Sequence, residues 1–468
     1  MKKLSIILLC VVYSSLLLSQ QKVNTNLFGI TTETTFIFNN VKDSIFINKV
    51  KKISPKVLRF PGSNFYHFGG VGYGLNLEEI DDWHRAGFPK RARGLLRNTN
   101  QRGHQHDYIE DFILLAKKVN ASVIIIANII TAKDNEIIQI IQNIKSNGIE
   151  IIGVEMGSEL SNQSYKHKID RDSYIALAKK CTQKIKEVYP DMKITVVAAP
   201  LVSNPLNRHS LWNRSLAKET FYDGIIVHNY VKVTTGEDRY GEMITESKEA
   251  GSQKIAFDIY KKRVLKFFSS GFIEKIQKYN LVFDNKPIWI TEWNLQYSKL
   301  TGNTLFQGLF SAHYFLDLAA ESKLNTIELT TFHNLAGRDC GGSVFRSFQG
   351  ELQEQSTYYP IQMLGNIFED SSFSITKKEI SFECFQYDII DNKFALKYSF
   401  LINWSGNERK IKLEKLIPKS IIDQFYGEEL FSLADEEGVI HFSTDIMSNV
   451  NKFSLKPYSL TLIKVIRE

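Results

Sequence analysis

The chain has 468 residues, of which 43% are hydrophobic, 12% aromatic and 23% charged, with 27 glycines, 10 prolines and a formal net charge of +7. Such a composition supports a large apolar core and excludes disordered, collagen-like, coiled-coil and disulfide-scaffold classes. The length fits a barrel of about 250 residues accompanied by a smaller domain.

The first segment differs from the rest. Lys2 and Lys3 precede an apolar stretch from Leu4 to Leu18, and Ser19, Gln20 and Gln21 then turn polar. This is the pattern of a secretory signal, with cleavage expected near Ser19, so residues 1–19 are set apart from the fold. The apolar run is short for a membrane span and none comparable follows, so no integral span is expected after signal removal. The expected location is secreted or periplasmic. Cys10 lies inside the run, where a surface lipoprotein would have an unusually short hydrophobic stretch before its cysteine. Cys181, Cys340 and Cys384 then remain, which permits at most one intrachain disulfide, and no Cys/His cluster suggests zinc. Loss of Lys2 and Lys3 lowers the net charge from +7 to +5, a mild excess.

Eight short, mostly apolar runs follow at 27–30, 57–60, 123–127, 151–156, 194–198, 224–227, 288–291 and 326–330. Each reads as a strand buried on both faces. Helical spacing occupies 107–119, 135–146, 170–188, 254–279 and 304–322. In the third of these, Tyr174, Leu177, Ala178, Cys181 and Ile185 recur at three and four residues. The strand-then-helix rhythm predicts an α/β architecture, a TIM (β/α)8 barrel over 24–368. After the second strand, Arg85, Lys90, Arg91, Arg93, Arg97 and Arg102 occur with His84, His104 and His106 and no acid, either a solvated basic loop or a surface for an anionic ligand. Glu78, Glu79, Asp81 and Asp82 read as an acidic loop or helix face rather than a calcium site.

From about residue 371 the period becomes two: Phe394, Leu396, Tyr398 and Phe400 alternate, Ser405-Gly406-Asn407 makes a turn, and alternation returns through Tyr458, Leu460 and Leu462. This predicts a C-terminal antiparallel β-sandwich over 369–468, with residues just after the signal available to join it.

Two carboxylates stand out by position. Glu159 follows the fourth strand and Glu292 ends the seventh, 133 residues apart. Strand ends of a parallel barrel converge on one mouth, so both could face one cavity. Such a pair can cleave a glycosidic bond, one acid protonating the departing oxygen while the other attacks the anomeric carbon, at a separation of roughly 5 to 5.5 Å for retention. Taken singly, Glu159 could instead be a first-turn helix acid and Glu292 an ion-pair partner.

Further short motifs appear in order: Leu58-Arg59-Phe60-Pro61-Gly62, Val227-His228-Asn229-Tyr230, Trp289 to Asn294, and Lys456-Pro457-Tyr458-Ser459-Leu460-Thr461. Together they resemble the clan of retaining glycoside hydrolases with catalytic acids after strands four and seven, namely the α-L-arabinofuranosidase, β-xylosidase and heparanase-like families, over nearly the whole mature chain. The resemblance implies that Glu292 is the nucleophile, Glu159 the acid/base and Arg59 the cation that keeps Glu292 ionised. It further implies that Tyr230 hydrogen-bonds the nucleophile and that His228 lines the sugar site. Ser158 stands where the family usually has Asn, and a hydroxyl cannot reproduce an amide's separate donor and acceptor toward a sugar hydroxyl. Trp293, beside the nucleophile, is expected as a sugar platform, whereas Trp83 and Trp212 read more simply as core residues; His333 and Asn334 are expected at the pocket's border. Neither cofactor nor metal is called for. The expected function is an exported retaining glycosidase acting on polysaccharides or oligosaccharides, with anionic glycans suggested by the basic stretch and arabinofuranosides as the neutral rival. A non-catalytic carbohydrate-binding protein on the same barrel is the alternative. A nucleic-acid partner is not expected, because no recognisable module accompanies the basic charge.

Overall fold

The computed structural model describes residues 21–62, 108–131, 135–234, 253–296, 298–322, 326–337, 342–348, 351–393 and 395–466. The signal-like segment, Cys10, Cys340, Trp83, the acids Glu78, Glu79, Asp81 and Asp82, and the basic stretch from His84 to His106 lie outside the described residues.

Eight parallel strands close a barrel in chain order: β1 (Gly29–Thr31), β2 (Val57–Phe60), β3 (Ser122–Ala127), β4 (Ile151–Met156), β5 (Lys193–Val197), β6 (Gly224–Val231), β7 (Ile288–Leu295) and β8 (Ile327–Phe332). Pairing of Gly29 with Thr331 and of Ile30 with Phe332 seals the ring. Val57, Ile124, Trp289 and Leu329 form a separate apolar cluster inside it. Gly153 is required there, since a Cβ would meet the Lys193 carbonyl at 2.6 Å and the Trp289 ring at 2.7 Å.

Helices cover the barrel's outside. Those anticipated from spacing are Ile109–Val119, Glu136–Ser146, Arg171–Val188 and Leu305–Glu321, and the expected 254–279 helix runs as Gln253–Lys266 and Phe272–Val282 joined through a π-helical turn at Phe267–Gly271. Ser44–Ile53, Arg208–Leu216 and Tyr358–Gly365 are further helices. Among the described residues no helix is long and apolar enough to cross a membrane.

The C-terminal strands are β9 (Ser374–Ser381), β10 (Cys384–Ile390), β11 (Leu396–Asn403), β12 (Arg409–Gly427), β13 (Ile440–Leu455) and β14 (Ser459–Val465). They form an antiparallel sheet whose edge is extended by Gln21–Lys22, paired with Ile375 and Ser374. Alternation along the strands buries both faces. Phe400, Ile402, Leu460 and Leu462 join the main core, while Leu401 and Ile463 join a second cluster with Ile411 and Leu413 from the start of β12. The long strand is irregular between Lys412 and Ile417, and its first arm folds over the sheet to form the second layer of a sandwich.

Helix Leu305–Glu321 lies between barrel and sheet and is buried over almost its whole length. Trp404 Nε1 donates to His313 Nδ1 at 3.0 Å, and the Tyr387 hydroxyl donates to Asp317. Burial raises the Asp317 pKa against the opposing pull of Lys377, whose ammonium lies 2.7 Å away. Burial, aided by Lys377, holds His313 well below the usual histidine range, so it accepts as a neutral ring.

Candidate active site

Arg59 is carried by β2 into the centre of the barrel with no exposed surface. A buried guanidinium requires anionic partners. Glu155, from β4 and equally buried, supplies one: Arg59 Nε lies 3.0 and 3.1 Å from its two oxygens and Nη2 lies 2.8 Å from Oε2. The remaining Nη1 donates to Glu292 Oε1 at 2.8 Å. Burial opposes the charge on Arg59, but the two carboxylates outweigh it and raise its pKa, so the guanidinium stays protonated. Glu155 was not singled out from the sequence. A carboxylate in the middle of a doubly buried strand is the available signal, because it demands a buried cation, here from β2 across the intervening β3.

Glu292 does not end its strand, as the sequence suggested; β7 continues to Leu295. The pairing of β7 with β8 shifts between Ile290 and Trp293, and that of β6 with β7 between Ile226 and His228. A bulge reverses the alternation. Trp289 therefore fills the barrel lower down, while Glu292 turns inward and Trp293 outward. Trp293 is fully buried against Tyr314, Phe315 and Phe332, with ring centroids at 4.6, 4.5 and 5.1 Å. The expectation of Trp293 as a sugar platform is thus corrected: no ring surface is free to meet a ligand. Trp212 is likewise buried, with Nε1 donating to the Val197 carbonyl at 2.8 Å.

On β6, His228 stands in register with Glu292. Tyr230 donates its hydroxyl to Glu292 Oε2 at 2.8 Å. Burial, then the charges of Glu292 and Glu159, push the Tyr230 phenol well above its ordinary value, so it acts as a donor. His228 Nδ1 lies 3.2 Å from Glu159 Oε1 and 3.4 Å from Glu292 Oε2. A ring protonated at Nδ1 can serve one carboxylate at a time.

Glu159 leaves β4 through a tight turn rather than a helix start. Gly157 has φ +82° and Glu159 itself φ +53°, a left-handed conformation unusual for a residue with a side chain. Asn162 Nδ2 donates to Glu159 Oε2 at 3.0 Å. Ligand atoms of Glu159, His228 and Glu292 lie within 4.8 Å of one another, so the two acids face each other across one gap. This trio is also the group that could hold a metal ion among the described residues. Ser158 is buried, with its Oγ 3.4 Å from Arg59 Nη2, and so faces the ion pair.

The rim across from Glu159 comes from β1 and β8. His333 Nε2 lies 2.8 Å from Glu33 Oε2, and Asn334 Nδ2 donates to the same oxygen at 2.6 Å. The His333 ring meets Tyr230 edge-on at 5.7 Å. Burial alone would lower the His333 pKa, but Glu33 and then Glu292 raise it to about 9. Glu33, which no motif marked, is the second carboxylate that the sequence left unread. Arg59, Ser158, His228, Tyr230, His333 and Asn334 are thus gathered with both acids at one end of the barrel, and Trp293 is the exception.

No protein-family model matches the sequence, and no curated protein matches it. Solved structures do share its fold. The GH51 α-L-arabinofuranosidase from Thermotoga petrophila RKU-1 superposes with a TM-score of 0.62 at 17% identity, covering 95% of this chain and 98% of that one. The GH51 arabinofuranosidase from Xanthomonas axonopodis pv. citri gives 0.66 at 13% identity over 96% and 98%. A GH family 44 xyloglucanase from Paenibacillus polymyxa, solved with xyloglucan, gives 0.61 at 10% identity over 96% and 98%. The chain therefore has the barrel-and-sandwich fold of these glycoside hydrolases, as its motif order implied.

Proposed function

We propose that the protein is an exported retaining glycoside hydrolase that cleaves O-glycosidic bonds of polysaccharides or oligosaccharides. The observation that carries this reading is the approach of Glu159 and Glu292 to within 4.8 Å through His228, with Glu292 held from behind by Arg59 and Tyr230. In the proposed cycle Glu292 attacks the anomeric carbon while Glu159 gives its proton to the leaving oxygen. Glu159 then takes a proton from the water that releases the glycosyl-enzyme ester. Arg59 and Tyr230 fix the attacking carboxylate in one orientation, which lowers the barrier by pre-organisation.

The fold neighbours act on chemically different glycans, so substrate choice rests on this chain's own residues. The basic stretch from Arg85 to Arg102, outside the described residues, supports an anionic glycan carrying uronate or sulfate, because guanidinium groups bind such oxygens in pairs. An arabinofuranoside is the neutral competitor. The test is a reducing-end assay over matched neutral and charged polysaccharides with Glu292→Gln as control. Release by the native protein and none by the variant supports the assignment. Glycan binding with no release by either would identify a carbohydrate-binding protein instead, and preference for neutral chains would remove the anionic substrate.

A further inference from the structure

A second cavity lies far from the catalytic mouth. It measures about 170 Å3 and is lined by Lys52, Gln362, Asn366, Asp423, Phe442 and Lys464. Lys52 is near the end of helix Ser44–Ile53, and Gln362 and Asn366 are near the end of helix Tyr358–Gly365. The two helix ends meet where Gly365 packs on the Ile53 carbonyl, shortly before β2 begins. That is the rim where strands start, opposite the strand ends bearing Glu159 and Glu292. The C-terminal sheet closes the other wall through β12, β13 and β14.

The chemistry of the lining is mixed in a specific way. Lys464 is matched by Asp423 at 2.7 Å, and Asp423 also accepts from Thr444 at 2.8 Å. Lys52 enters no ion pair among the described residues, which leaves the cavity one unmatched positive charge. The Gln362 amide is likewise uncommitted among the described side chains. Phe442 is stacked on Tyr359, with centroids 4.4 Å apart and planes 14° from parallel, yet it remains 36% exposed. One ring face is thus backed and the other is free.

We infer that this cavity is a non-catalytic saccharide site that takes a single acidic sugar unit, a uronate. A pyranose presents an apolar C–H face suited to Phe442 and hydroxyls suited to the Gln362 amide and to the Asn366 amide oxygen, whose Nδ2 already donates to the Met363 carbonyl at 3.0 Å, and a carboxylate pairs with Lys52 through a charge-assisted bond. The volume is small beside the roughly 300 to 1,000 Å3 of drug-sized pockets, so it holds one ring and not a chain segment. The site would tether an acidic glycan at the barrel's opposite end, and it does not depend on whether the protein hydrolyses anything.

Titration of the full-length protein with D-glucuronate and with D-glucose, followed by ligand-observed NMR, tests the inference. Glucuronate is expected to bind more tightly than glucose; Lys52→Gln is expected to weaken glucuronate about tenfold, the scale of one charged hydrogen bond, and Phe442→Ala about fivefold, the scale of one lost ring contact. Lys52→Gln should melt with the native protein, since Lys52 is on the surface; Phe442→Ala also loses the stack on Tyr359, so Gln362→Ala, which leaves that stack in place, provides a third, milder probe. The readout is binding at Lys52 and Phe442 and not turnover, so a failed hydrolase assignment leaves this result standing. Unchanged affinity in Lys52→Gln and Phe442→Ala, no binding of glucuronate, or equal affinity for the two sugars would overturn the proposal.

Discussion

Glu155 grips Arg59 through Nε and Nη2, leaving Nη1 alone to reach Glu292 at 2.8 Å. The guanidinium is thereby aimed by one carboxylate at another. A single cation is shared by two acids, and all three groups sit in the low-dielectric interior, where each missing partner is costly.

Replacing Glu155 by Gln should therefore leave Arg59 free to swing and half-paired. Breaking a buried pair typically costs about 3 to 5 kcal/mol. Urea unfolding should show a loss of that order, and turnover should fall even at temperatures where the variant is fully folded. Native stability and activity in Glu155→Gln would refute the aiming role.

The acid/base assignment has a different signature. Glu159→Ala should depress turnover severely for substrates with poor leaving groups and far less for aryl glycosides whose phenolate departs unprotonated. Steady-state rates over a leaving-group series check this. An equal loss across the series would mean that Glu159 does not donate the proton.

The rim pair sets a pH dependence. His333 is raised from an ordinary value of 6.5 to about 9 by Glu33, so the pair's contribution is complete below 6.5 and disappears as pH climbs through about 9. Thermal melts should fall over that alkaline window, and Glu33→Gln should flatten the fall by removing its cause. A fall of the same size in the variant would assign it to other groups.

Gly308 lies where the supporting helix meets the Ser356 carbonyl and the Phe425 ring of the sheet. A Cβ there would lie 2.5 Å from the Ser356 carbonyl and 2.9 Å from the Phe425 ring. Gly308→Ala should destabilise the protein by about 1 to 3 kcal/mol despite alanine's better helix propensity, because the fit is overpacked. Chemical denaturation would measure it.

The barrel was legible because its strands are buried on both faces, and runs such as 57–60 and 151–156 coincide with β2 and β4. The apolar runs at 224–227 and 288–291 stop short of the upper halves of β6 and β7, where His228, Tyr230, Glu292 and Asn294 interrupt them. His228, Tyr230 and Glu292 are strand residues facing the mouth, whereas Asn294 is buried and donates to the His333 and Gly342 carbonyls. The outward turn of Trp293 is not written in any spacing rule; it arises from pairing with Phe332 and Asn229, 39 and 64 residues away in the chain. Helix Ser44–Ile53 carried a readable signal, with Asp43 accepting from Ile45 and with Phe46, Ile47, Val50 and Ile53 on one face. Arg208–Leu216 and Tyr358–Gly365 are shorter and patterned less clearly, and tertiary contact decides them.

Helix Leu305–Glu321 gives the barrel its last wall and the sandwich its floor. Neither lobe could be excised without stripping that wall of its cover, and so an isolated barrel would expose a long greasy flank and clump. Heating should dismantle both halves in one step, and limited proteolysis should find no cut that yields two soluble pieces.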